Sequence, residues 1–250
     1  MKKHADENGE YFANVKKLIE EMYIQNGGKK VVIVAHSMGG IYMYYLLLQQ
    51  DQEWKEKHIK SLITVGAPWG GASGALAILA TGKHNACSVL PKESCRMLHR
   101  SHPSIVYLLP SAPAFGDTPI LEYGGRNYTA ADVPQILEMI GDTDGAKMYG
   151  PISKLYPDYQ HPGVEIHCLR GTGTSTVERL LYKSEKDFPF DPETVRGAGD
   201  GTVNQKSSDL CLKWKAEKQF FTQTFDKVKH PDLIKDDSVV QYIADAILKL

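Results

Sequence analysis

The sequence has neither a long apolar segment nor an excess of charge of one sign. Its longest apolar runs, Val31–Val34 and Ile41–Leu48, are far shorter than the about 20 residues that a bilayer-spanning helix needs. The 29 Lys and Arg residues oppose 30 Asp and Glu residues, which leaves a formal net charge of −1 and no block of like charges. We therefore predict no transmembrane helix, and we exclude binding to a nucleic-acid backbone.

Cysteine is also scarce, and its spacing is not that of a zinc site. Neither a CxxC pair nor a Cys/His ligand pattern occurs among Cys87, Cys95, Cys168 and Cys211. An even number of cysteines predicts structural disulfides, for which three pairings exist. Disulfides persist in oxidising compartments, where the glycosylation acceptor Asn127-Tyr128-Thr129 would also have meaning.

The amino-terminal segment does not supply the export signal that such a compartment requires. Met1–Asn8 is charged, but no apolar stretch follows it before Glu10. The sequence therefore predicts no signal peptide in this chain.

The apolar residues that are present predict a single α/β domain over residues 1–250. They make up 42% of the chain, enough to fill a sizeable core. Val31–Val34 is apolar on both faces, as is typical of a central parallel strand with helices on each side. Ile41–Leu48 then indicates a buried helix and Ser61–Val65 a second strand, which together form a βαβ unit.

A helix is also predicted before the first strand, from Tyr11 to Tyr23, and it is expected to end at Gly27-Gly28. Its apolar residues recur with the helical period. The expected buried face consists of Phe12, Val15, Leu18, Ile19 and Met22.

The middle of the chain differs from both ends. Residues 72–159 contain short elements interrupted by Pro and Gly, and we interpret them as an inserted cap or lid region. Val164–Leu169 and Gln219–Thr224 predict a third and a fourth strand, and Ser238–Leu250 a closing amphipathic helix. We therefore expect a mostly parallel sheet covered by helices, with the cap inserted between two of its strands.

The segment Ala35-His36-Ser37-Met38-Gly39-Gly40 lies between the first strand and the buried helix. In an α/β-hydrolase, the nucleophilic serine occupies a strained strand-to-helix turn, and the residues two before and two after it must be small. Ala35 and Gly39 meet this requirement, so Ser37 is the candidate nucleophile; the alternative is a serine that caps the helix. The same turn would direct the backbone N–H of Met38 at an oxyanion.

A nucleophilic serine needs a histidine base and a carboxylate that orients the base. The fold supplies them in the chain order Ser, Asp or Glu, His, and His230 follows the acidic, Gly-rich loop Arg196–Val203. Asp200 is therefore the candidate acid, and Thr202 is expected to fix its carboxylate through the hydroxyl. The alternatives are an ordinary Asp-Gly turn, as at Asp144, and a solvated loop histidine.

Two further expectations concern residues near these candidates. His36 is expected to pack beside the turn rather than to act as the base. The Asp142–Gly145 string fails as a calcium loop, because its acidic spacing is wrong and no Glu closes it. We therefore expect neither a metal nor a cofactor.

The assembled residues resemble the lecithin:cholesterol acyltransferase family, most closely its lysosomal (group XV) phospholipase A2 branch. Gly66-Ala67-Pro68-Trp69-Gly70-Gly71 is nearly diagnostic by itself. The resemblance extends from about Asn8 to the C-terminus, and its other segments are Val34–Gly39, Ser61–Val65, Asn127–Thr129, Pro162–Glu165, Cys168 with Gly171–Gly173, and Gly199–Asn204.

This resemblance implies an α/β-hydrolase fold and a serine lipid acyltransferase or phospholipase A. Ser37 would attack a glycerophospholipid ester, with Asp200 as the orienting acid and His230 as the base. The acyl-serine would then pass its chain to water or to a lipid alcohol. The substrate would lie in a phospholipid membrane or on a lipoprotein surface.

The resemblance also implies features of the mature family members. These are a Cys168–Cys211 disulfide, glycosylation at Asn127 and a lysosomal or extracellular location. The lid of the family falls near Lys83–Ser104, where this sequence carries Cys87 and Cys95. We expect an additional disulfide between these two, with two free buried thiols as the alternative.

The upstream portion of the family is expected to be missing from this chain. That portion carries a membrane-docking subdomain, the first strands of the sheet and a second oxyanion donor. The alternative function is therefore a truncated, noncatalytic homologue that acts at most as a lipid- or partner-binding module. An unrelated soluble esterase of the same fold is a third hypothesis, which the Trp69 segment disfavours.

Overall fold

Two four-stranded sheets organise the computed structural model, which describes residues 9–83, 89–155 and 159–248. The amino-terminal elements are α1 (Gly9–Gln25), β1 (Val31–His36), α2 (Met38–Leu48), α3 (Gln52–His58) and β2 (Ile59–Val65). The central elements are α4 (Ser73–Thr81), α5 (Lys92–Arg100), α6 (Pro103–Tyr107), α7 (Ala112–Phe115), β3 (Leu121–Tyr123), β4 (Arg126–Tyr128), α8 (Val133–Met139) and α9 (Thr143–Ile152). The carboxy-terminal elements are β5 (Glu165–Thr172), β6 (Thr176–Tyr182), β7 (Glu193–Gly197), α10 (Gln205–Ser208), β8 (Phe220–Asp226) and α11 (Asp237–Leu248).

The main sheet has the strand order β1-β2-β5-β8, and all three pairings are parallel. His36 is paired with Val65, Val65 with Leu169, and Leu169 with Gln223. The carboxyl ends of the four strands therefore lie along one edge of the sheet. The prediction of an α/β fold with a mostly parallel sheet covered by helices is confirmed.

The position of β1 differs from the prediction of a central strand. Within the described residues, β1 pairs with β2 alone and lies at the edge of the sheet. Val34 is 47% exposed, whereas Leu62 and Ile63 of β2 are fully buried. An apolar run indicates burial on both faces, but it does not distinguish an edge strand from a central one, and here that inference was wrong.

The expected buried face of α1 is only partly correct. Ile19 is buried, and Phe12 and Val15 pack against the core from half-buried positions. Leu18 and Met22 are instead 53% and 41% exposed. The period of the apolar residues predicted the helix correctly. The face of the helix that packs against other described residues is narrower than the predicted face.

The second sheet was not predicted from the sequence. Its order is β4-β3-β6-β7, with β3 parallel to β6 and the other two pairs antiparallel. Strands β3 and β4 lie inside residues 72–159, whereas β6 and β7 follow β5. The sheet therefore joins the expected cap region to a later part of the chain, and a separate apolar cluster surrounds it.

A disulfide joins Cys168 of β5 to Cys211, in the short 3₁₀ helix Asp209–Trp214. Both residues are buried in the main core. Cys95 of α5 is likewise buried and disulfide-bonded, whereas its expected partner Cys87 lies outside the described residues. No helix in residues 9–83, 89–155 and 159–248 is long and apolar enough to cross a membrane.

Candidate active site

The turn between β1 and α2 holds Ser37 in a strained conformation. Its φ and ψ are 56° and −133°, outside the regions that residues with a side chain prefer. Its backbone N–H donates to the carbonyl of Val65 at 2.9 Å, and its side chain makes no cap hydrogen bond to α2. Ser37 is therefore not an ordinary helix cap, which was the simpler interpretation of the sequence.

Small residues let α2 pass close to the strands. A Cβ on Gly39 would lie 4.0 Å from the Cβ of Ala35, an ordinary contact. A Cβ on Gly40 would lie only 2.9 Å from the Cβ of Ala67, which follows β2. The strictest requirement for glycine is thus at Gly40, one position later than the sequence rule indicates.

A chain of hydrogen bonds connects Ser37, His230 and Asp200. Nε2 of His230 lies 2.9 Å from Oγ of Ser37, and Nδ1 lies 2.8 Å from Oδ2 of Asp200. The carboxylate can only accept, so Nδ1 carries a proton; when Nε2 carries none, it accepts from the serine hydroxyl. Both His230 and Asp200 are buried, at 6% and 1% exposure, which excludes the solvated loop histidine.

The second oxygen of Asp200 is held by the backbone of its own loop. Oδ1 accepts the N–H of Thr202 at 3.0 Å and the N–H of Val203 at 2.7 Å. The expectation for Thr202 needs correction, because its backbone N–H, and not its hydroxyl, contacts the carboxylate. The backbone carbonyl of Asp200 also accepts the N–H of His230 at 2.8 Å.

Two glycines at the carboxyl edge of the sheet make room for this chain of hydrogen bonds. Gly66 has a φ of 62°, and a Cβ there would lie 3.1 Å from Nδ1 of His230. A Cβ on Gly171 would lie 2.8 Å from the Cβ of Asp200 and 2.7 Å from the carbonyl of Val228. Sequence reasoning missed both roles, although a glycine at the end of a core strand is a signal of close backbone approach.

Replacing Gly171 with Ala is expected to slow the modification of Ser37 by a fluorophosphonate about 100-fold. The added methyl would push Asp200 away from His230, and a displacement of about 1 Å can cost that much. Gly150→Ala is the matched control, because a Cβ there meets nothing within 4 Å in α9. Equal labelling rates for both variants and the parent chain would contradict the crowding argument.

His36 and Met38 flank the candidate nucleophile. The Nε2 atom of His36 lies 3.1 Å from the carbonyl oxygen of His230, and the two rings are 4.7 Å apart. Burial lowers the pKa of His36, and a charge on His230 lowers it further. Met38 is the first residue of α2, where backbone N–H groups have no partner within the helix.

A cavity of about 100 Å³ begins beside the same helix. Its walls are mostly apolar or aromatic and include Ile41, Trp69, Tyr107 and Leu109. The Trp69 ring makes edge-to-face contacts with the rings of Tyr44 and Trp214. A hydrocarbon chain would find a nonpolar surface there.

Two other residues singled out in the sequence do not belong to the series of Ser37, His230 and Asp200. Asn127 is exposed on β4, and Asp144 is exposed at the start of α9, where it pairs with Lys147. No group of three or more potential metal ligands occurs in the described part of the chain. The site thus consists of a strained serine that is hydrogen-bonded to a buried histidine, which in turn is hydrogen-bonded to a buried carboxylate.

The sequence is similar to known proteins over most of its length. A sequence model of the family described as "Lecithin:cholesterol acyltransferase" matches residues 2–139 and 143–245. The chain is 37% identical over 251 residues to a "Lysosomal phospholipase A and acyltransferase" of Homo sapiens, covering 97% of this chain and 59% of that protein. It is 35% identical over 216 residues to a "Phosphatidylcholine-sterol acyltransferase" of Gallus gallus, covering 85% of this chain and 52% of that protein. The chain thus spans little more than half the length of these relatives.

A solved structure shares the fold at much lower identity. A chain in "The crystal structure of Tle4-Tli4 complex" matches with a TM-score of 0.58 and 14% identity, over 89% of this chain and 61% of that chain. This similarity concerns the fold alone.

Proposed function

Because the chain belongs to the lecithin:cholesterol acyltransferase family, we propose that it is a serine-dependent lipid acyltransferase or phospholipase A. The observation that carries the proposal is the hydrogen-bonded series of Ser37, His230 and Asp200 at a strained strand-to-helix turn. This geometry is that of an activated serine nucleophile.

In the first half of the reaction, Oγ of Ser37 attacks the acyl carbonyl of a glycerophospholipid. Nε2 of His230 takes the hydroxyl proton, and the buried carboxylate of Asp200 stabilises the imidazolium that forms. The oxyanion of the tetrahedral intermediate would accept the backbone N–H of Met38 at the start of α2. The intermediate collapses when His230 returns the proton to the leaving lysophospholipid oxygen, which leaves an acyl group on Ser37.

In the second half, water or a lipid alcohol attacks the acyl-serine. His230 removes the proton from this acceptor and returns it to Oγ of Ser37, so a free fatty acid or an acylated alcohol is released. The apolar cavity beside Ile41 and Trp69 supports an acyl chain as the bound part of the substrate. The substrate would be presented by a phospholipid membrane or lipoprotein surface.

The Cys168–Cys211 disulfide supports a location in the secretory pathway, in a lysosome or outside the cell. One of the similar proteins is named as lysosomal, which points the same way. The exposed side chain of Asn127 is accessible for glycosylation, as that route would allow.

The test is covalent labelling with a fluorophosphonate probe. We expect the folded chain to be labelled at Ser37, as located by peptide mass analysis, and the Ser37→Ala variant to remain unlabelled. Phosphatidylcholine vesicles with and without a long-chain alcohol would then separate fatty-acid release from acyl transfer. A folded chain that the probe does not label would contradict the proposal.

The second candidate function is a noncatalytic lipid- or partner-binding module. Within the described residues, Val34 of β1 is 47% exposed and offers such a partner an apolar side chain. Binding to vesicles without labelling of Ser37 would support that alternative.

A further inference from the structure

His36 contacts the proposed base at two places. Its Nε2 lies 3.1 Å from the carbonyl oxygen of His230, and its ring lies against the His230 ring at a centroid distance of 4.7 Å and an angle of 36°. A carbonyl oxygen can only accept, so Nε2 of His36 carries the proton and donates it. One side chain therefore restrains both the backbone and the ring of His230.

Two further hydrogen bonds of His230 come from the loop that carries Asp200. Its N–H donates to the carbonyl of Asp200, and Nδ1 donates to the Asp200 carboxylate. These bonds fix the base relative to the acid loop. These two bonds do not by themselves fix His230 relative to Ser37, which lies in the turn after β1.

We infer that His36 is a positioning residue that ties His230 to the carboxyl end of β1, directly before Ser37. It precedes Ser37 directly, so one peptide bond connects the nucleophile with the donor that holds the base. This role rests on the proposed function and adds a residue to it. Without this donor, the carbonyl of His230 loses its link to β1, and Nε2 is free to shift away from Oγ of Ser37.

The charge of His36 adds a second consequence. When Ser37 reacts, the ring of His230 becomes positive, and a second positive ring 4.7 Å away would oppose that step. The charged and titratable groups that face His36 are His230 and Asp200. Burial lowers the pKa of His36, so its ring is neutral near pH 7 and acquires a proton only at acidic pH.

Two substitutions separate the donor from the ring. His36→Gln keeps an amide N–H close to the position of Nε2, whereas His36→Phe keeps a ring and loses the donor. We expect the second-order rate constant for fluorophosphonate labelling of Ser37 to fall about 10- to 100-fold in the Phe variant, which corresponds to one lost hydrogen bond. The Gln variant should stay within about threefold of the parent chain.

The pH profile distinguishes positioning from a merely structural role. In the parent chain, the labelling rate should fall more steeply on the acid side than in either variant, because protonation of His36 places a second positive charge beside the ring of His230. Thermal unfolding of each variant serves as the control for folding.

Three results would overturn the inference. The first is equal labelling rates in all three chains, and the second is an unchanged acid slope in both variants. The third is a Gln variant as slow as the Phe variant with an equal loss of stability, because the donor would then not matter. Absence of labelling in the parent chain would instead overturn the proposed function, and the positioning role with it.

Discussion

Replacing Asp200 with Asn is expected to lower the turnover of the acyl ester about 10⁴-fold while the chain still folds. Oδ1 of Asp200 accepts two backbone N–H groups, from Thr202 and Val203, and only an oxygen can do so. The amide oxygen of Asn would therefore occupy this position, and its NH₂ group would face His230. Nδ1 would have to accept, so the ring proton would move to Nε2, which could no longer take a proton from Ser37.

The measurement is the rate of fatty-acid release from phospholipid vesicles, with fluorophosphonate labelling as a second readout. Asp144→Asn is the matched control, since Asp144 also precedes a glycine but is exposed and pairs with Lys147. The control should keep the parent rate. If the Asp200→Asn variant retained more than about a tenth of the parent turnover, the assignment of Asp200 as the orienting acid would be wrong.

Much of the candidate site could be predicted because its rules are local. A strand-to-helix turn with small neighbours points to Ser37, and the chain order of the fold then selects one acidic loop and one late histidine. In a parallel sheet the carboxyl ends of the strands share an edge, so residues distant in sequence meet there without further information. The structure brings Ser37, Asp200 and His230 within hydrogen-bond distance in series.

What could not be predicted depends on contacts between distant segments. Strands β3 and β6 are neighbours in the second sheet, although β5 of the main sheet lies between them in the sequence. Both β3 and β4 are three residues long, which is too short for an alternating pattern to appear. The roles of Gly66 and Gly171 depend on which loops pass over them. The hydrogen bond from His36 to His230 likewise joins the end of β1 to a segment after β8, and only the folded chain brings these together.

Replacing both Cys168 and Cys211 with Ala is expected to lower the free energy of unfolding by about 4 kcal/mol. The disulfide closes a loop with a sequence separation of 43, which restricts the unfolded chain. The loop contains β6, β7, Asp200 and α10. Urea unfolding of the parent chain and the double variant, both without reductant, measures the difference. Adding reductant to the double variant is the control, since any further change must come from the disulfide at Cys95.

A loss of this size would be a large part of the about 5–15 kcal/mol that stabilises most folded domains. Both cysteines are buried in the main core, so reduction of the parent chain should require partial unfolding and should be slow at low denaturant. Because Asp200 lies within the closed loop, labelling of Ser37 should decline together with the folded fraction. A double variant as stable as the parent chain would contradict the expected contribution of the bond.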